Sequence, residues 1–178
     1  MRLSLIFAQS ENGILGANNT IPWHAREEQL RFKKATWGKI LLMGRNTFDS
    51  LPTKLQNRHV MVLTSGALEQ PDITCVSSVD EAISMAGQRR CDELVVAGGA
   101  HLYEEMMPVC DVVYQSIVHV NVEGDVMAPE IPDELFTQVW SRSYADTQPP
   151  FTYKTFITNR YRRNTSVLSE DMGIIINP

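Results

Sequence analysis

Three features of the chain predict an α/β fold. Short apolar runs alternate with helical stretches through most of its length, and strand-like segments alone close it. Most of the apolar runs end in small or glycine-rich residues, as strands do where their carboxyl ends face a ligand. The expectation is a single domain with a mainly parallel central sheet, helices on both faces and an antiparallel C-terminal edge. The 178 residues suffice for one sizeable core, with 43% hydrophobic and 21% charged residues as in ordinary globular proteins.

The first run, Leu3 to Ala8, suits a central strand. Because Arg2 leads straight into it, no secretory signal is expected, and no apolar run approaches the roughly 20 residues of a membrane span. Asn12-Gly13 and Gly16-Ala17-Asn18-Asn19 then form a long loop that ends at Pro22 and reads as a mobile lid or, more plainly, a connector.

A helix is predicted to begin two or three residues after Pro22. On it Ala25, Phe32 and Ala35 form an apolar stripe that includes Glu28, whereas Glu27, turned away by about 100°, should face water. A carboxylate on a core-facing stripe is costly unless something meets it, and no basic residue on that face obviously does. A ligand is one candidate partner. The helix alone also admits a first-turn acid that favours the dipole and reaches into solvent.

Lys39 to Met43 is a second strand running into Gly44-Arg45-Asn46-Thr47, with Phe48 to Leu51 helical. Strand, glycine, basic residue and hydroxyl make an anion seat, or an ordinary turn with a solvated arginine. Arg58 precedes a third strand, His59 to Leu63, which ends at Thr64-Ser65-Gly66. Ile73 to Val76 is a fourth, and Ser78 to Glu81 is a capping box opening a helix through Met85. Glu93 to Ala97 is a fifth, followed by Gly98-Gly99-Ala100-His101 and a helix ending near Pro108. Val112 to Val118 is the sixth, and Leu135 to Ser141 with Phe151 to Thr158 reads as a closing hairpin.

A net charge of −5 argues against a protein that grips a nucleic-acid backbone. Cys75, Cys91 and Cys110, odd in number and widely spaced, read as reduced thiols of a cytoplasmic protein. His24, His59, His101 and His119 lack metal-ligand spacing, so no metal site is expected.

Five motifs, in order, together resemble dihydrofolate reductase of the common chromosomal type. They are Ile14-Leu15-Gly16 with Ile21-Pro22-Trp23, then Glu28 with Phe32-Lys33, then Met43-Gly44-Arg45-Asn46-Thr47-Phe48, Ala97-Gly98-Gly99-Ala100 with Tyr103, and Glu123-Gly124-Asp125. The resemblance covers residues 2 to about 160. It implies a reductase domain over 1–163 and a C-terminal extension over 164–178, whose Ile174-Ile175-Ile176 could dock on the body or fray.

The resemblance further implies an NADPH-dependent oxidoreductase that reduces dihydrofolate by hydride transfer to C6 and protonation at N5. Glu28, Trp23 and Ser116 would be its catalytic set. Ile6, Ala8, Gln29, Phe32, Leu51, Leu55 and Arg58 would line the substrate site, with Arg58 holding the α-carboxylate of the glutamate tail. NADPH would meet Ala8, Ile14, Gly44, Arg45, Asn46, Thr47, Leu63, Thr64 and Ser65, and also Ala97, Gly98, Gly99, Ala100, His101, Leu102 and Tyr103. Phe32, Leu51 and Tyr103 serve equally well as plain packing residues. A cis peptide between Gly98 and Gly99 is implied as well.

Glu28-Gln29-Leu30 before Phe32-Lys33 resembles the mobile-element and phage reductases, which implies insensitivity to trimethoprim. The expected partners are dihydrofolate and antifolates, with neither nucleic acid nor membrane, and a monomeric protein. Two rivals stand beside this reading: a pyrimidine reductase of riboflavin synthesis on the same fold, and a non-catalytic nucleotide-binding module.

Overall fold

The computed structural model describes residues 1–68, 70 and 72–160. The expected extension over 164–178 lies outside the described residues. The elements are β1 (Arg2–Ser10), β2 (Ile14–Gly16), α1 (Arg26–Thr36), β3 (Ile40–Gly44), α2 (Arg45–Asp49), β4 (His59–Leu63) and β5 (Ile73–Val76). They continue with α3 (Val79–Gln88), β6 (Glu93–Val96), α4 (Ala100–Met106), β7 (Val112–Val118), β8 (Val126–Met127), β9 (Phe136–Tyr144) and β10 (Phe151–Thr158).

Eight strands form one sheet in the order β5-β4-β3-β6-β1-β7-β10-β9. From β5 to β7 every pairing is parallel, and β10 runs antiparallel to both β7 and β9. The expected architecture is therefore observed. The central strands are mainly apolar because both faces are covered. Leu5, Phe7, Leu42 and Met61 point to the side where α3 and α4 contribute Ala82, Ala86 and Met106. Ile6, Leu41, Met43 and Val62 point to the other side, toward Ala25, which caps α1, Ala35 of α1 and Phe48 of α2.

Helix boundaries differ from expectation in a consistent way. α2 starts at Arg45, directly on the strand end, rather than near Phe48. α3 runs to Gln88, beyond Met85. Its cap is half as expected: Ser78 Oγ accepts from Glu81 N at 3.1 Å, but Glu81 returns to the Ser77 N–H and hydroxyl at 2.7 Å rather than to Ser78.

The loop after β1 is more than a connector. Its β2 pairs antiparallel with β8, forming a second small sheet with no counterpart in the sequence reading. Asp125 Oδ1 accepts from Asn18 N at 3.2 Å, and Asp125 N donates to Gly16 O at 3.2 Å. Gly124 permits this approach, since a Cβ there would fall 2.2 Å from Ile14 Cγ2. The expected lid is thus tied to the segment that follows β7.

Candidate active site

Glu28 lies on the inner face of α1, with Glu27 exposed beside it as the stripe predicts. Its carboxyl group is the enclosed end of a half-buried residue, and Oε1 accepts from Ser116 Oγ at 2.8 Å. Ser116 sits on β7 and is itself buried. Burial pushes the Glu28 carboxyl above the ordinary carboxylate range, while the Ser116 bond and the Arg31 charge pull it partly back.

Arg31 corrects the expectation that no protein cation meets this acid. It lies one turn along the same helix and is 7% exposed. Its guanidinium rests over the Tyr153 ring at 3.7 Å, with Trp140 and Tyr144 at 5.2 and 5.4 Å. A basic residue three positions after the acid was the available signal. The rings that bury it come from β9 and β10, far along the chain.

Around this acid the structure gathers most of the predicted substrate residues. Trp23, Phe32, Leu51 and Leu55 pack on the same apolar cluster as Ile6 and Ala25. Ala8 is half-buried at the end of β1, whereas Gln29 is exposed. A groove of about 850 Å³ runs alongside, lined by Phe48, Leu51, Leu55, Arg58 and Val60 among others. It adjoins the acid's cluster without taking in Glu28. A smaller concavity of about 340 Å³ between Gln9, Gln115 and the Met127–Ile131 stretch holds none of the predicted site residues except by neighbourhood. Arg58 is half-buried and already committed, with Nη1 donating to Thr36 Oγ1 at 3.2 Å and Nε to Gln56 O at 3.0 Å.

The second half of the site is made of backbone. Gly44 N donates to Gly98 O at 2.8 Å, locking the turn after β3 against the turn after β6. The Gly98-Gly99 peptide is cis, as the resemblance implied. Gly98 has φ +128°, and a Cβ there would meet Thr47 Cγ2 at 2.7 Å. Only glycine fits that contact. With five and seven residues, α2 and α4 are too short to add much dipole. An anion here therefore depends on local N–H groups and side chains.

Those side chains are placed as follows. Thr47, Leu63 and Thr64 are half-buried, and Asn46 and Ser65 are exposed. Ile14 is buried beneath Gly124. Ala97 N donates to Leu42 O at 2.8 Å, and Ala100 opens α4. His101 is fully exposed, 3.9 Å from Glu104. Arg45 is held by Asp49 through Nε and Oδ2 at 2.7 Å, a pairing at i, i+4 that the sequence reading overlooked. Leu102 and Tyr103 belong to the core, where the buried Tyr103 hydroxyl donates to Ile6 O at 2.8 Å.

Among the described residues no cluster of His, Cys, Asp or Glu could hold a metal ion, and no helix is long and apolar enough to cross a membrane. The arrangement offers an enclosed, oriented carboxylate on α1 and, at the ends of β3 and β6, two glycine turns joined through Gly44 N and Gly98 O.

Comparison with known proteins meets this geometry. The family model for dihydrofolate reductase matches residues 2–160. Dihydrofolate reductase type 6 of Proteus mirabilis is 36% identical over 156 residues, covering 86% of this chain and 97% of that protein. The Bacillus subtilis dihydrofolate reductase is 35% identical over 155 residues, covering 85% and 90%. A solved structure of dihydrofolate reductase from Enterococcus faecalis, complexed with NADP(H) and RAB-propyl, superposes with a TM-score of 0.80 at 31% identity, covering 89% of this chain and 96% of that one. The chain belongs to the dihydrofolate reductase family.

Proposed function

We propose that the protein reduces 7,8-dihydrofolate to 5,6,7,8-tetrahydrofolate with NADPH, and that Glu28 fixes and polarises the pterin. The observation that carries this is the enclosed Glu28 carboxylate, oriented by Ser116 and placed one apolar cluster away from the glycine turns. Oε2, the oxygen Ser116 leaves free, faces a pterin's 2-amino group and ring N–H as a charge-assisted acceptor. Holding those donors draws electron density toward the ring and favours a proton at N5. Ile6, Phe32, Leu51 and Leu55 exclude water from the ring's faces, and Arg58, in the groove that Lys54 also lines, is the guanidinium assigned to the glutamate tail.

The cofactor fits the second half of the site by shape: the Gly98-Gly99 cradle, which any Cβ would close, borders Gly44, Arg45 and Thr47. NADPH supplies the hydride delivered to C6 when bound there. Arg45, Thr64 and Ser65 are the groups assigned to its 2′-phosphate, and the exposed His101 to a cofactor phosphate. The protein's part is alignment and a fixed field, since the hydride chemistry belongs to the cofactor.

The reading is tested by following NADPH oxidation with and without dihydrofolate: strict dependence on both supports it, and NADPH binding without turnover refutes it. Gln29, exposed beside the acid, gives the same proposal a drug-related arm in which a diaminopyrimidine seats poorly against the longer glutamate. An inhibition constant for trimethoprim in the low nanomolar range would end that arm. The protein is taken to act as a cytoplasmic monomer with free Cys75, Cys91 and Cys110, a reading that sedimentation and cell fractionation check.

A further inference from the structure

Among the described residues, Arg31 is the buried cation whose partners do not explain it. Nη1 donates to the Tyr144 hydroxyl at 2.6 Å, but Nε and Nη2 are buried with no acceptor. Orphaned N–H groups on a charged side chain are costly in an apolar box. Three aromatic faces offset part of that cost through cation–π attraction. A methionine or leucine would fill the same space without the cost, and such replacements of buried ions are often neutral or stabilising. Stability alone therefore does not account for an arginine here.

The charge also bears on the acid, opposing its protonation from one turn away. Glu28 stands one helical turn before Arg31, in a region where few solvent dipoles screen the interaction. Around the carboxyl, β7 contributes Ser116, which donates a neutral hydrogen bond, and β10 contributes Tyr153. Behind Tyr153 stacks Tyr114, whose hydroxyl lies 3.2 Å from Glu93, and Glu93 is itself met by Lys39 and Arg2. Burial drives both tyrosine hydroxyls upward from their ordinary range, so they stay neutral at physiological pH. From β9, Trp140 and Tyr144 add rings, with Arg142 lying 5.2 Å from the Tyr144 ring centroid.

We infer that Arg31 is a positioning residue for the reaction: a guanidinium boxed by Trp140, Tyr144 and Tyr153, one helical turn from Glu28, that biases this acid and so sets the pH range in which substrate is accepted and protonated. The inference rests on the role proposed above for Glu28. It goes beyond that role because Arg31, enclosed by Trp140, Tyr144 and Tyr153, would act through Glu28 and not on the ligands. Whether the reaction's proton sits on the carboxyl or has passed to N5, a cation one turn away disfavours it. Removing the cation therefore extends the protonated, active form to higher pH.

The experiment compares pH profiles of hydride transfer, measured in single turnover with NADPH and with its deuterated form, for wild type, Arg31→Met, Arg31→Lys and Tyr144→Phe. For Arg31→Met, the rate relative to wild type should rise at least about threefold between about pH 7 and about pH 9, as its basic limb moves upward. Arg31→Lys keeps the charge but not the planar stack, so its profile should return toward wild type even if its stability does not. Tyr144→Phe removes the hydrogen bond that fixes Nη1 while keeping all three rings, and should move the limb in the same direction by less. Superposable profiles for Arg31→Met and wild type would overturn the inference, whatever the change in stability. If Arg31→Met does not fold, an unmoved limb in Tyr144→Phe overturns it instead. Absence of turnover in the wild type would be a failure of the proposed activity itself, distinct from either result.

Discussion

The two halves of the cleft are built from different materials. The half around Glu28 is a side-chain construction, in which Ser116 orients the carboxylate, Arg31 biases it and Phe32, Leu51 and Leu55 pack on the apolar cluster that α1 faces. The half around Gly98 is a backbone construction, where two strand ends meet through Gly44 N and Gly98 O and the Thr47 side chain packs against the glycines. A ring with directional donors calls for a placed charge, whereas a phosphate-bearing chain calls for close backbone approach. If this division is sound, substitutions in one half should leave the other half's ligand nearly untouched.

The largest effect is expected from Glu28→Gln, which keeps the shape and a Ser116 acceptor but removes the charge. Turnover should fall roughly 10²-fold or more. NADPH affinity should stay within about twofold, since distant sites act independently. Loss of NADPH binding in that variant would break the division. The mirror test is Gly98→Ala. A side chain at φ +128°, with its Cβ 2.7 Å from Thr47 Cγ2, forces the turns apart. It should cost roughly 2 kcal/mol or more in stability, read by denaturant titration, and weaken NADPH far more than a folate analogue.

A smaller effect sharpens the substrate half. Arg58→Ala should raise KM for dihydrofolate roughly tenfold with turnover preserved, by loss of a charge-assisted contact. With a pterin substrate lacking the glutamate tail, variant and wild type should coincide. Equal losses on both substrates would mean that Arg58 serves only its own bonds to Thr36 and Gln56.

The same division governs what could be read before any coordinates. Backbone sites announce themselves, because a glycine pair between an apolar run and a helix has few structural uses. β4, β5, β7 and β10 begin and end where the apolar runs do. Glu28 was legible too, as a charge on an apolar stripe. Arg31 was not, because its burial depends on Trp140, Tyr144 and Tyr153, more than a hundred positions away, and no local period carries that information. The β2–β8 pair escaped for another reason. Strands of three and two residues have no measurable alternation, and their pairing is fixed by Asp125 and the missing side chain of Gly124.

The smallest predicted effect separates the halves by the kind of strain each stores. The folded-state pKa of Glu28 is raised by burial, so the folded protein keeps a proton that the unfolded chain has already lost. The associated stability is present below the ordinary carboxylate value and is lost as pH rises through the raised folded value. Glutamine does not titrate. The melting temperature of ligand-free Glu28→Gln, relative to wild type, should therefore climb across that window and level off above it, by a few degrees at most for a chain of this size. Gly98→Ala stores only steric strain, and its deficit should be flat over the same range. A pH-independent difference for Glu28→Gln would mean that the carboxyl is well solvated without ligand, and the substrate half would then owe its specificity to shape and not to charge.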